Sequence, residues 1–150
     1  MIAIGGDDAG YTMKELLKKQ LTADDRVAEV RDVGVHSGGD STAYPHVGIA
    51  AAELVASGDV DRALLVCGTG IGVAISANRV AGVRATVAHD PYSVERSVLS
   101  NNCQVLCFGA RVIAPELAAK LTDGWLDLRF DDHSPSAGKI AVLDAYESSS

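Results

Sequence analysis

Residues 67–72 read CGTGIG, a thiol followed by three glycines in five positions, with Thr69 between the first two. Glycine lets a backbone come close to a ligand, and the free N–H groups of a strand-to-helix turn favour an anion. The spacing is GxGxG rather than the GxGxxG of a dinucleotide turn, and no Lys-Ser/Thr follows as in a P-loop. The stretch reads either as an anion-holding turn or as a bare tight turn. Cys67 has two readings as well. It is a small core residue, or a thiol whose thiolate is stabilised by nearby N–H donors and serves as a base or nucleophile.

Other residues carry chemistry beside it. Asp7 and Asp8 are adjacent carboxylates that crowd each other, so one is suited to acid–base work. The plainer role is a cap on the helix opening near Gly10, and one aspartate is expected in each role. Tyr44 and His46, in "TAYPH", open another helix, and His46 is either a surface or a site residue. Asp90, before Pro91, is a good N-cap. Arg84, Arg111 and Lys139 are scattered cations with an ordinary solvated reading. Cys103 and Cys107 stand four apart on one expected strand, share a face, and read as core.

Elements must bring these residues together. Apolar runs at 1–6, 26–34, 62–68, 82–90 and 103–112 read as strands. Amphipathic or capped segments at 10–21, 44–58, 70–80, 91–102, 114–128 and 134–148 read as helices. In the first helix Met13, Leu16, Leu17 and Leu21 are expected on the inward face, with lysines on the other. The alternation predicts a three-layer α/β/α, Rossmann-like domain with a five-stranded parallel sheet. Residues 1–147 form that one expected domain, and 148–150 a frayed tail. Ligands of such sheets bind beyond the carboxyl ends of the strands. That places Asp7, Asp8, the 34–44 loop, Cys67–Gly72, His89–Tyr92 and Gly109–Arg111 in one region.

The chain's 150 residues suit one domain, and 47% apolar content suits a packed core. A net charge of −7 disfavours nucleic acid or an anionic membrane as the main partner. No apolar run is long enough to span a bilayer, and the carboxylates at 7 and 8 interrupt what a signal peptide would need. Three cysteines, an odd number, give neither a disulfide framework nor a paired zinc pattern. The expected location is the cytoplasm.

With these residues in view, the chain resembles the ribose-5-phosphate isomerase B family, which includes the galactose-6-phosphate isomerase subunits. The likeness covers nearly the whole chain through "DDAGYTMKELL", "AYPH", "VDRALLVCGTGIGVAISANRVAGVRA", "QVLCFGARVI" and "ELAAKLTDGWL". The resemblance implies a cofactor- and metal-free aldose–ketose isomerase of a small phosphorylated sugar, moving a proton between C1 and C2 through an enediolate. It makes Cys67 the base and gives Thr69 the proton movement between the two oxygens. The N–H groups of Gly68, Gly70, Ile71 and Gly72 would hold the oxyanion. Asp7 would bind substrate hydroxyls, with Asp8 and Tyr44 beside it. Asn101 would contact the sugar and Arg111 the phosphate. Dimers or larger assemblies with sites at the subunit interface are also implied, here a homodimer or homotetramer.

The chain departs from the family in three places. Asp8 stands where the family has a phosphate-binding histidine. Ser100 stands where it has a histidine that opens the sugar ring. The arginines near the last helix are absent, and Ser134, Ser136 and Lys139 stand in that region, the last two as candidate phosphate ligands. A four-carbon 4-phosphate has its O4 esterified and cannot close a furanose, so its isomerase needs no ring opener. A family branch with "DDAG" and "SNN" is associated with such tetrose phosphates. D-Erythrulose 4-phosphate/D-erythrose 4-phosphate is therefore the favoured pair, with ribose 5-phosphate the alternative. His89 or His46 is a further candidate to replace the missing histidine. A non-catalytic subunit is disfavoured because Cys67 and Thr69 are both kept. A nucleotide-binding module is disfavoured because no ribose-binding acid follows the glycines at the usual distance.

Overall fold

The computed structural model describes residues 1–150. Five parallel strands, β1 (Ile2–Gly6), β2 (Val30–Asp32), β3 (Arg62–Cys67), β4 (Ala85–Val87) and β5 (Val105–Gly109), form one sheet in the order β2-β1-β3-β5-β4. Six helices connect and follow them: α1 (Tyr11–Thr22), α2 (Tyr44–Ala56), α3 (Ile71–Ala77), α4 (Pro91–Leu99), α5 (Pro115–Asp127) and α6 (Ala137–Ser148). The three-layer α/β/α expectation is met.

The inner strands β1, β3 and β5 are unbroken apolar runs because helices cover both of their faces. On one face Met13, Leu17, Leu21, Val94, Val98, Leu121 and Trp125 pack on Ile4, Leu64, Val66 and Phe108. On the other, Val47, Ala51, Val73 and Ala77 pack on Leu65, Cys67, Val105 and Cys107. Strand alternation thus turns Cys67 towards α2 and α3. The edge strands are shorter than expected, three residues each where 26–34 and 82–90 were predicted. An edge strand pairs on one side only, so an apolar run there need not continue as a ladder.

Two residues of α1 correct the sequence reading. Leu16 is 50% exposed, whereas Lys14 is 0% exposed. The Lys14 ammonium donates to Asp32 Oδ2 at 2.8 Å and to Val35 O at 2.6 Å. A buried lysine is tolerated only with such partners. Cys103 is also corrected. It precedes β5 and is half-buried rather than core, whereas Cys107 is fully buried.

Candidate active site

Asp7 follows β1 and Cys67 ends β3. These two strands are adjacent, and the chain leaves them towards opposite sides of the sheet, which is where a parallel sheet opens a crevice. The crevice encloses about 460 Å³ and is lined by Asp7, Asp8, Tyr44, Cys67, Thr69 and Arg111, with Gly68, Gly72, Ile71 and Ile75.

Its floor depends on close backbone approaches. Gly70 caps α3 at φ +80°, and a Cβ there would lie 3.0 Å from the Phe108 backbone. At Gly10, which begins the turn into α1, a Cβ would lie 2.3 Å from Val66 O. At Gly72 it would lie 2.6 Å from the Tyr44 ring, so only glycine lets that ring rest on the loop. The Ala110 and Arg111 N–H groups donate to Cys67 O and Gly68 O at 2.8 and 3.0 Å, which fixes the β5 turn to the β3 turn. This places the Arg111 guanidinium over Gly68.

The Gly70 N–H donates to Cys67 Sγ at 3.1 Å. This backbone donor orients the sulfur towards the crevice. The other thiols lack this setting: burial pushes Cys103 up to about 11 and holds Cys107 well above its ordinary value. The Ile71 N–H donates to Thr69 Oγ1 at 3.2 Å, orienting that hydroxyl in the crevice. Of the four expected oxyanion donors, Gly70 and Ile71 are therefore engaged within the loop. Gly68 and Gly72 keep N–H groups without an acceptor in the chain. Asp7 Oδ1 accepts the Gly10 N–H at 3.0 Å at the opening of α1, and the same residue lines the crevice, so the expected split of one role per aspartate is not what the geometry shows. Asp8 Oδ1 accepts only the neighbouring Ala9 N–H.

Three expected site residues lie elsewhere. Asn101 is at the end of α4, where its amide donates to Arg96 O, and it lines a separate cavity beside β4 with Arg84, Arg96 and Leu143. Ser136 caps α6 and Lys139 is in its first turn, and neither lines the Cys67 crevice. Ser100 Oγ accepts from Arg96 Nη1 at 3.2 Å. No three His, Cys, Asp or Glu side chains gather as metal ligands would.

His89 has a role that the motif reading left open. Its Nε2 accepts the Gly109 N–H at 2.9 Å, and its ring stacks on Phe108. Gly109 begins the turn that carries Arg111. Burial holds the His89 pKa below the ordinary imidazole value, against the opposing pull of Asp90, so the acceptor form is kept. His89 is a positioning residue. His89→Phe should lower kcat/KM about tenfold, the worth of one buried hydrogen bond. His89→Gln, which keeps an acceptor, should restore most of it. Protonation removes the acceptor, so wild-type kcat/KM should fall as pH drops through the lowered His89 pKa, below the ordinary imidazole value. A pH–rate profile of His89→Gln should lack that component.

The sequence profile described as Ribose/Galactose Isomerase matches residues 2–143, and the chain belongs to that family. It is 62% identical over 146 residues, 97% of this chain and 96% of the relative, to D-erythrulose-4-phosphate isomerase 2 of Mycolicibacterium smegmatis. It is 42% identical over 130 residues, 87% of this chain and 85% of the relative, to ribose-5-phosphate isomerase B of Escherichia coli. Among solved structures, ribose-5-phosphate isomerase B of Clostridium thermocellum superposes with a TM-score of 0.91 at 36% identity, covering 99% of this chain and 97% of that one. The chain is an aldose–ketose isomerase of phosphorylated sugars. No helix is long and apolar enough to cross a membrane.

Proposed function

We propose that the chain interconverts D-erythrulose 4-phosphate and D-erythrose 4-phosphate, with Cys67 as the base. The observation that carries the chemistry is the Gly70 N–H bond to Cys67 Sγ inside a crevice that also holds Arg111. The thiolate takes the proton from the carbon beside the carbonyl, giving an enediolate and a neutral thiol. The free N–H groups of Gly68 and Gly72 face the developing oxyanion. Thr69 passes the hydroxyl proton from one oxygen to the other, and the thiol returns its proton to the neighbouring carbon. Arg111 holds the phosphate, and Asp7 and Tyr44 the hydroxyls.

The tetrose assignment is supported by Ser100, a weak acid–base group engaged with Arg96, and by the 62% identity to the M. smegmatis isomerase. The chain works as a homodimer or homotetramer with shared sites. In support, Asn101, Ser136 and Lys139 lie off the crevice of their own chain. Ile71 and Ile75 are exposed at the crevice, and Val142, Leu143 and Tyr146 are exposed on α6, away from it. Side-by-side kcat/KM on D-erythrulose 4-phosphate and D-ribose 5-phosphate tests the substrate. A tetrose preference of about tenfold or more, roughly 1.4 kcal/mol of discrimination, is expected. A ribose 5-phosphate preference would mean that another residue opens the ring.

A further inference from the structure

Another cavity lies at the end of the sheet opposite the isomerase crevice. It encloses about 450 Å³ at the amino ends of β1, β3 and β5, against the chain that follows α5. Ligands of parallel sheets normally sit beyond the carboxyl ends, so this cavity is no part of the isomerase crevice.

Two arginines converge there. Arg62 lies over the Trp125 ring at 4.2 Å, and its Nη1 and Nη2 donate to Trp125 O at 2.9 Å and Leu126 O at 3.1 Å. Arg129 Nη1 donates to the same Leu126 O at 2.8 Å and to Leu128 O at 2.7 Å. These bonds cap the end of α5, yet they bring two like charges onto shared carbonyls. Asp61 lines the cavity and partly offsets both arginines by its charge, while the other nearby carboxylates pair with Arg26. Asp24, Asp123 and Asp127 close on Arg26 at the rim, the latter two largely in solvent. Asp61, which also lines the cavity, bonds the Met1 amine. Desolvation and the charge of Arg129, against the opposing pull of Asp61, push Arg62 down to about 10. The Nε and Nη2 donors of Arg129 make no bond within the chain.

We propose that this cavity is a second binding site, taking the phosphate group of a small metabolite between Arg62 and Arg129. A dianion offsets the two facing charges, and the free Nε–Nη2 edge of Arg129 matches two phosphate oxygens. Val98, Leu126 and Phe130 line the space beside the arginines and suit a short carbon skeleton. The volume is that of a small-molecule site.

The chain carries its own reporter, because Trp125 is its only tryptophan and forms a wall of the Arg62 position. Trp125 fluorescence is titrated with inorganic phosphate at constant ionic strength, up to about 50 mM, above the range where a two-arginine contact should saturate. The wild-type protein should give a saturable change. Arg129→Gln should shift the midpoint upward at least about tenfold, and Arg129→Lys, which keeps the charge but loses the fork, should shift it by less. Circular dichroism checks that both variants fold. Arg111→Gln, altered in the isomerase crevice, should leave the titration unchanged. No saturation in the wild-type protein overturns the proposal and leaves the arginines as caps of α5. So does a change that survives Arg129→Gln or disappears in Arg111→Gln.

Discussion

Cys67→Ala should lower kcat about 10³-fold or more on any sugar phosphate the enzyme accepts. The side chain removed is the only thiol in the crevice and the one that a backbone N–H supports. Alanine cannot carry a proton, and the other groups of the proposed site would bind and polarise substrate without moving hydrogen between carbons. The fold should survive. Cys67 is 5% exposed at a strand end, and losing one sulfur there costs about 1 kcal/mol. Thermal melting and circular dichroism report that, and coupled-enzyme kinetics report the rate. Cys67→Ser should keep the shape and still lose most of the rate, since a hydroxyl ionises far less readily than a thiol beside the same donor. A Cys67→Ala enzyme with near-normal kcat would move the base to Asp7, whose second oxygen carries no bond within the chain.

Much of this site is legible along the chain because its parts are local. The β3–loop–α3 unit announces itself by an apolar run that ends in closely spaced glycines, and the structure needs glycine at 70 and 72 for contacts that any Cβ would block. Asp90 and Pro91 mark the start of α4, where Asp90 Oδ1 accepts the Ser93 N–H at 2.8 Å. What escapes the sequence is long-range. Periodicity reports where apolar residues face, so a lysine whose charge is matched by Asp32, 18 residues on, reads as surface. The run at 26–34 has strand composition, but only three residues find a partner at the sheet edge. Cys103 fits the alternation of β5 and still falls outside it, because pairing starts at Val105. The tie from His89 to Gly109 spans 20 residues and two strands, and its only signal was a histidine just past a strand end.

Lys14→Met should destabilise the fold by about 3 kcal/mol, lowering the melting midpoint by roughly 9 °C for a chain of this size. Lys14 is fully buried, donates to Asp32 Oδ2 and Val35 O, and pairs with Glu15 Oε1 at 2.8 Å. Methionine fills similar space but leaves Val35 O unbonded and Asp32 dependent on Lys18 and the Gly34 N–H. The cost matters to the site, since Val35 leads into the loop that delivers Tyr44 to Gly72. The effect also has a pH signature. Burial raises the Asp32 pKa, but hydrogen bonds from Lys14, Lys18 and Gly34 outweigh burial and hold it below the ordinary carboxylate value. A depressed carboxylate stabilises the fold fully above its unfolded pKa, near 3.9, and that stability drains away as pH falls through the lower folded value. The wild-type advantage over Lys14→Met should therefore be constant from about pH 7 to pH 5 and shrink below about pH 4. A gap in melting midpoint that stays the same at about pH 3 would mean that Lys14 stabilises through its packed methylenes and the Val35 bond, not through its charge on Asp32.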